Sequence, residues 1–132
     1  MNLVIDTSVI IAVITNEKHK KELIKLTKGA NLIAPSSLHW EIGNAFSAMF
    51  KRNKISLEQA MKAIDAYKQI PIQFSKIDLE TTLELSIRLN IYAYDAYIIA
   101  CALKHKSPLI TLDKQLIEAA QVAGVKIKEV NP

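Results

Sequence analysis

The chain has 132 residues, half of them hydrophobic, and its 17 Lys and Arg against 13 Asp and Glu give a formal charge of +4. This length predicts a single domain over residues 1–132, and a content of three glycines and four prolines excludes collagen-like, linker-rich and disordered classes. The apolar runs are too short for a membrane-spanning helix, and a lone cysteine with no signal-peptide pattern at the N-terminus predicts a cytoplasmic protein.

Short apolar runs alternate with helical patterns along the chain, which is typical of an α/β protein. Strands are predicted over residues 2–5, 31–34, 71–74, 109–112 and 125–130. Helices are predicted over residues 9–14, 17–27, 36–51, from 56, over 78–89 and 94–105, and from 113 to 124. Strands joined by helical crossovers predict a five-stranded parallel sheet with helices on both faces.

Two acidic residues directly follow predicted buried strands. Asp6 comes after the first strand and Asp113 after the fourth. Ligands of parallel α/β sheets collect beyond the carboxyl ends of the strands, so both carboxylates are candidates for one site. The alternative is that each of them only caps the helix that follows it.

A third acid lies on an apolar face of a predicted helix. The residues three, four and seven positions after Asp95 are Ile98, Ile99 and Ala102, and burial of an unpaired charge is costly. A bound cation would remove that cost. The alternative is a position in the first helical turn, where the helix dipole favours Asp.

Glu41 lies on the flank of an apolar helical stripe, beside small alanines and on the same side as Asn44. A solvated surface glutamate is the alternative there. Carboxylates gathered in one pocket repel one another unless divalent cations neutralise them, and sites with only oxygen ligands select Mg²⁺ or Mn²⁺. Such ions support hydrolysis of phosphodiester bonds.

Four short motifs in order resemble the PIN domain, and more narrowly the stand-alone VapC-type toxins of toxin–antitoxin operons. They are VIDTS at residues 4–8, E-x-x-N at 41–44, YDA-x-I at 94–98 and PLIT-x-D at 108–113. The resemblance extends over residues 2–130. It implies a three-layer α/β/α fold with a five-stranded parallel sheet and a Mg²⁺- or Mn²⁺-dependent endoribonuclease that hydrolyses RNA with a metal-activated water.

The resemblance also assigns residues and partners. The catalytic, metal-binding residues would be Asp6, Glu41, Asp95 and Asp113. The supporting polar residues would be Thr7, Ser8, Asn44 and Thr111. A co-transcribed antitoxin protein and a second copy of the chain, in a homodimer, are the implied protein partners.

Basic residues at the end of the long predicted helix are candidates for contact with RNA phosphates, namely Lys51, Arg52 and Lys54. The alternative is that they only keep the surface soluble. Two other functions are alternatives, and the first is disfavoured. A receiver-like signalling domain needs an acid at the end of the third strand, which residues 72–75 (IQFS) do not provide. A catalytically silent PIN-like module would bind RNA or a protein without cleavage.

Overall fold

Strands and helices alternate along the chain in the computed structural model, which describes residues 1–131. The strands are β1 (Asn2–Ile5), β2 (Asn31–Pro35), β3 (Gln73–Ser75) and β4 (Leu109–Ile110). The helices are α1 (Thr7–Ile14), α2 (Lys20–Thr27), α3 (Leu38–Lys51), α4 (Leu57–Lys68), α5 (Leu79–Leu89), α6 (Ala93–His105) and α7 (Lys114–Val122). The predicted α/β alternation is confirmed.

The strands form one parallel sheet in the order β3-β2-β1-β4. Val4 of β1 lies opposite Ile33 on one side and Leu109 on the other. The prediction of five strands is wrong by one within the described chain, because residues 125–130 make only an isolated parallel bridge, between Leu109 and Ile127. The edge strand β4 is two residues long and therefore offers little backbone for a fifth strand to pair with.

Alternate residues of the strands point to opposite faces of the sheet and build two cores. Leu3 and Ile5 pack with the buried faces of α1 to α4. Val4 packs with those of α5 to α7. The three-layer α/β/α arrangement is thus confirmed, and α6 is buried along most of its length, as its nearly continuous apolar sequence predicts.

Acidic side chains start several of the helices. The Asp6 carboxylate accepts a hydrogen bond from the backbone N–H of Ser8, which places the start of α1 at Thr7, two residues earlier than predicted. Asp78 caps α5 and Asp113 caps α7 in the same way. Helix α2 begins later than predicted, at Lys20, because Glu17 lies in a turn whose N–H donates to the carbonyl of Ala12. None of the described helices is long and apolar enough to cross a membrane.

Candidate active site

The four predicted acids come from four separate elements. Asp6 follows β1, and its backbone N–H donates to the carbonyl of Ile110 at the end of β4, 3.1 Å away. Asp113 follows β4 after two further residues, Glu41 lies in the first turn of α3, and Asp95 lies in the first turn of α6. The structure therefore gathers these side chains beside the carboxyl ends of the central strands.

Asp6 is the most tightly held of the acids. Its side chain is 8% exposed, and its Oδ2 accepts hydrogen bonds from Ser8 Oγ at 2.6 Å and from Thr111 Oγ1 at 2.7 Å. The backbone N–H of Ser8 adds a longer bond to the same oxygen at 3.3 Å. Within the described residues Oδ1 accepts no hydrogen bond, so one carboxylate oxygen is anchored and the other remains available.

The two hydroxyl groups that hold Asp6 also tie the β1–α1 turn to the β4–α7 turn. Ser8 Oγ accepts from the N–H of Leu112 at 3.0 Å, and Thr111 Oγ1 accepts from the N–H of Asp113 at 3.0 Å. Because each hydroxyl hydrogen is donated to Asp6, the 3.3 Å separation between the two hydroxyl oxygens is a contact and not a further hydrogen bond. Asp6 and Asp113 are thereby fixed relative to one another.

Burial and neighbouring charges raise the pKa of Glu41 from its ordinary value of 4.5 to about 7. Burial raises the pKa most, Thr7 Oγ1 lowers it by donating to Oε2 at 3.0 Å, and the charges of Asp6 and Asp95 raise it further. The pKa of Asp95 is raised by burial, then by Asp113 and Asp6. Each of the four acids therefore lies close enough to at least one other for their charges to interact.

Asp113 is exposed and serves as the N-cap of α7. Its Oδ1 accepts from the N–H of Gln115 at 2.9 Å and from that of Leu116 at 3.3 Å. Its Oδ2 accepts no hydrogen bond from residues 1–131. Asp6 and Asp113 thus each cap a helix with one carboxylate oxygen, and the other oxygen of each accepts no hydrogen bond within the described residues.

The chemistry of this cluster fits a divalent cation. Within the described residues the one salt bridge joins Lys62 to Glu58, so none of the four acids is paired with a Lys or Arg. Carboxylate oxygens that repel one another are the donor set that Mg²⁺ or Mn²⁺ prefers. Across residues 1–131, no three His, Cys, Asp or Glu side chains are already close enough to hold one ion together. Joint binding therefore requires side chains of the cluster to move closer to the anchored carboxylate of Asp6.

Asn44 and the basic residues predicted to contact RNA make no hydrogen bond to these acids within the described chain. Asn44 is exposed one helical turn after Glu41, and its side chain makes no hydrogen bond within the described chain. Lys51, Arg52 and Lys54 are exposed at the opposite end of α3, about 15 Å along the helix axis from Glu41. A cavity of about 610 Å³ includes Lys54 in its lining and none of the four clustered acids, so cavity size alone does not mark the acidic cluster.

A smaller cavity of about 320 Å³ lies beyond the carboxyl end of β2, and sequence reasoning did not predict that Trp40 forms part of its wall. Two of its residues immediately precede acids in the chain: Trp40 precedes Glu41, and Tyr94 precedes Asp95. The feature of the sequence that could have indicated a role for Trp40 is its position. It is the only tryptophan, it lies next to an acid, and it lies outside the apolar stripe of its helix. The lining residues of the cavity are Pro35, Ser36, Ser37, Trp40, Ile77, Tyr94 and Tyr97.

Comparison with known proteins agrees with this architecture. The fold is similar to DNA-bound VapBC from Salmonella typhimurium, with 18% identity, a TM-score of 0.69 and 99% coverage of each chain. It is similar to VapBC2 from Rickettsia felis bound to a promoter DNA fragment, with 15% identity, a TM-score of 0.68, and coverage of 99% of this chain and 100% of that one. It is also similar to VapC20 from Mycobacterium tuberculosis, a sarcin–ricin loop cleaving toxin, with 14% identity, a TM-score of 0.65, and coverage of 98% and 99%.

Identities this low establish a shared fold and no more. A search of curated protein sequences finds no significant match. The model of the PIN domain family, in contrast, matches residues 3–122, a span that includes all four clustered acids and the four strands except for the first residue of β1. The chain belongs to the PIN domain family.

Proposed function

We propose that this PIN domain is an endoribonuclease that depends on Mg²⁺ or Mn²⁺ and acts in the cytoplasm as the toxin of a toxin–antitoxin pair. The observation that carries the proposal is the cluster of Asp6, Glu41, Asp95 and Asp113, which lacks a cationic partner within the described chain. The similarity of the whole fold to VapBC complexes and to a cleaving VapC toxin supports the toxin assignment.

The residues of the cluster have distinct roles in this proposal. A divalent ion held by the four carboxylates would stabilise negative charge on the phosphodiester and lower the pKa of a water molecule. Ser8 and Thr111 hold Asp6 in one orientation, which reduces the entropy lost when Asp6 binds a ligand. Thr7 donates to Glu41 Oε2 and so favours the ionised form that can bind a cation.

The proposed partners are RNA, an antitoxin protein and a second copy of the chain. The VapBC structures are complexes, which supports an antitoxin partner here. Co-expression with the product of the adjacent reading frame, followed by co-purification and loss of ribonuclease activity, would test the antitoxin. Light scattering after size exclusion should give twice the mass of one chain, and a monomer mass would contradict the homodimer.

The first experiment measures the melting temperature against Mn²⁺ concentration for the wild type and for Asp95→Asn. Metal bound to the folded state must stabilise the protein by linkage, and no substrate has to be chosen. We expect the wild type to gain stability with Mn²⁺. Asp95→Asn should be more stable than the wild type in chelator, because repulsion within the cluster is reduced, and should gain little with metal.

Asp65→Asn is the matched control, since it neutralises an exposed aspartate of α4 outside the cluster. This variant should respond to Mn²⁺ like the wild type. If the wild type and Asp95→Asn both ignore the metal, the carboxylates do not form a metal site and the proposal of metal dependence fails.

The second experiment incubates the purified protein and Asp95→Asn with structured and unstructured RNAs in Mn²⁺. The wild type should cut at least one of them, and Asp95→Asn should lose activity by more than about 100-fold, as expected for loss of a group that holds the metal. Salt-sensitive RNA binding by the wild type without any cleavage would instead favour the catalytically silent module.

A further inference from the structure

The cavity lined by Trp40 and Tyr94 has the chemistry of a site for a flat, uncharged ring. Aromatic side chains form much of its wall, and none of its lining residues is charged. We propose that it holds an unstacked nucleobase of a single-stranded RNA, next to the phosphodiester at the acidic cluster. This inference rests on the proposed function and names the substrate feature that the same site recognises.

The aromatic wall comes from two helices. Trp40 of α3 is 69% exposed although it is a large aromatic, and Tyr94 of α6 is 40% exposed. The rings of Tyr94 and Tyr97 lie 6.2 Å apart at 58°, and the edge contact of Trp40 with His39, at 6.2 Å and 65°, supports the indole ring. Proteins that bind single-stranded RNA stack its bases on exposed aromatic rings of this kind.

One polar group of a lining residue lacks a hydrogen-bond partner within the described residues. Ser37 Oγ is buried and makes no hydrogen bond within the described residues, since Ser37 precedes α3 without capping it. The neighbouring Ser36 Oγ, in contrast, donates to the carbonyl of Ser75 at 3.3 Å. A buried hydroxyl without a partner is costly, and the edge of a nucleobase offers both donors and acceptors to pair with it. An apolar side chain of a protein partner would leave the hydroxyl unpaired.

The position of the cavity fits a base that neighbours the scissile phosphate. Pro35 ends β2, so the cavity lies beyond the carboxyl end of that strand. Trp40 is adjacent in sequence to Glu41, and Tyr94 to Asp95, which keeps each pair of Cα atoms about 3.8 Å apart. None of the lining residues is basic, so the wall offers no charge to compensate a phosphate, and the uncharged base is favoured as the occupant.

The binding test uses Trp40 as the reporter. The chain has a single tryptophan, so incorporation of 5-fluorotryptophan gives one ¹⁹F resonance, which lies in the cavity wall. We expect adenosine and uridine, which carry no phosphate, to shift this resonance saturably in the absence of metal. Ribose should leave the resonance unchanged.

Variants identify the part of the surface that binds. Tyr94→Ala should weaken nucleoside binding by about 5- to 150-fold, the range expected for loss of one base–aromatic stack. Tyr92→Ala is the matched control, because Tyr92 is 89% exposed and lies outside the cavity lining. It should keep the wild-type affinity. An equal loss in both variants would overturn the assignment to this cavity.

Cleavage kinetics provide the second readout. Trp40→Ala should raise KM for a single-stranded RNA by about 5- to 150-fold with little change in kcat, and Trp40→Phe should restore most of the loss.

A shifted resonance without any RNA cleavage would support the nucleobase site and remove only the nuclease proposal. Cleavage with a wild-type KM in Trp40→Ala, together with a resonance that ignores nucleosides, would overturn the nucleobase site and leave the nuclease intact. The cavity would then fit a side chain of a protein partner.

Discussion

Hydroxyl groups organise the acidic cluster at the scale of single residues. Ser8 and Thr111 share one oxygen of Asp6, and Thr7 bonds to Glu41. Thr7 and Ser8 are adjacent in the chain, yet they serve different acids. The resemblance to the PIN domain implies that polar residues support the acids, but it does not indicate which hydroxyl serves which acid, because that depends on helix orientation after folding.

The pH dependence of stability should report on Glu41. The pKa of Glu41 in the folded protein, about 7, is above its ordinary value of 4.5. The folded state therefore binds more protons than the unfolded state between these values, and its stability falls as pH rises from about 4.5 to about 7. In chelator at pH 8, we expect Glu41→Gln to be more stable than the wild type by about 1–2 kcal/mol, after allowance for solvent screening.

Urea titrations at several pH values measure this difference. At pH 4 most of the gain should disappear, because the wild-type side chain is then mostly protonated in both states. Glu84→Gln, which removes an exposed acid of α5, is the control for a simple change in net charge. A gain that is constant from pH 4 to pH 8 would show that the effect does not come from ionisation of Glu41.

Helix caps connect the acids to secondary structure at the scale of elements. Asp113 accepts two backbone N–H groups at the start of α7, and Asp78 accepts one at the start of α5. Both residues are ordinary N-caps by sequence. Only Asp113 also lies near another acid of the cluster, since its charge raises the pKa of Asp95.

Substitutions at Asp113 should separate its two roles. Asparagine is as good an N-cap as aspartate, so Asp113→Asn should change the melting temperature in chelator only slightly but reduce the stabilisation by Mn²⁺. Asp113→Ala should lose that response and also about 0.5–2 kcal/mol of stability. Asp78→Ala should lose a similar stability while keeping the Mn²⁺ response, and Mn²⁺ titrations of the melting temperature would measure all three. An Asp113→Asn variant with the wild-type response would exclude Asp113 as a ligand.

Strand lengths show the limit of prediction at this scale. The apolar run over residues 109–112 predicts a four-residue strand, but β4 ends at Ile110. Thr111 and Asp113 turn into the site, where their hydroxyl and carboxyl groups are used in side-chain bonds. The local apolar pattern predicts that a strand is present. The tertiary hydrogen bonds of the residues that follow it determine where the pairing of the strand ends.

At the scale of the whole molecule, helix α6 contributes many of the buried residues in the core on one face of the sheet. Ile99 is fully buried there, whereas Ile87 of α5 is 87% exposed. We expect Ile99→Ala to lower the free energy of unfolding by about 2–5 kcal/mol, because it leaves a cavity in the core. Ile87→Ala should change it by less than about 0.5 kcal/mol. Urea denaturation measures both, and similar losses in the two variants would contradict the described packing.

The sequence by itself determined the α/β class, the positions of the main elements and the acids that lie at the ends of strands and helices. Those features follow from local patterns, since strand and helix periodicity and capping preference act over a few residues. Only the tertiary structure decided the strand order β3-β2-β1-β4, the sharing of Asp6 by Ser8 and Thr111, and the cavity between Trp40 and Tyr94. These arise from contacts between segments up to about a hundred residues apart. They depend on how the helices pack on the sheet, which no local pattern specifies.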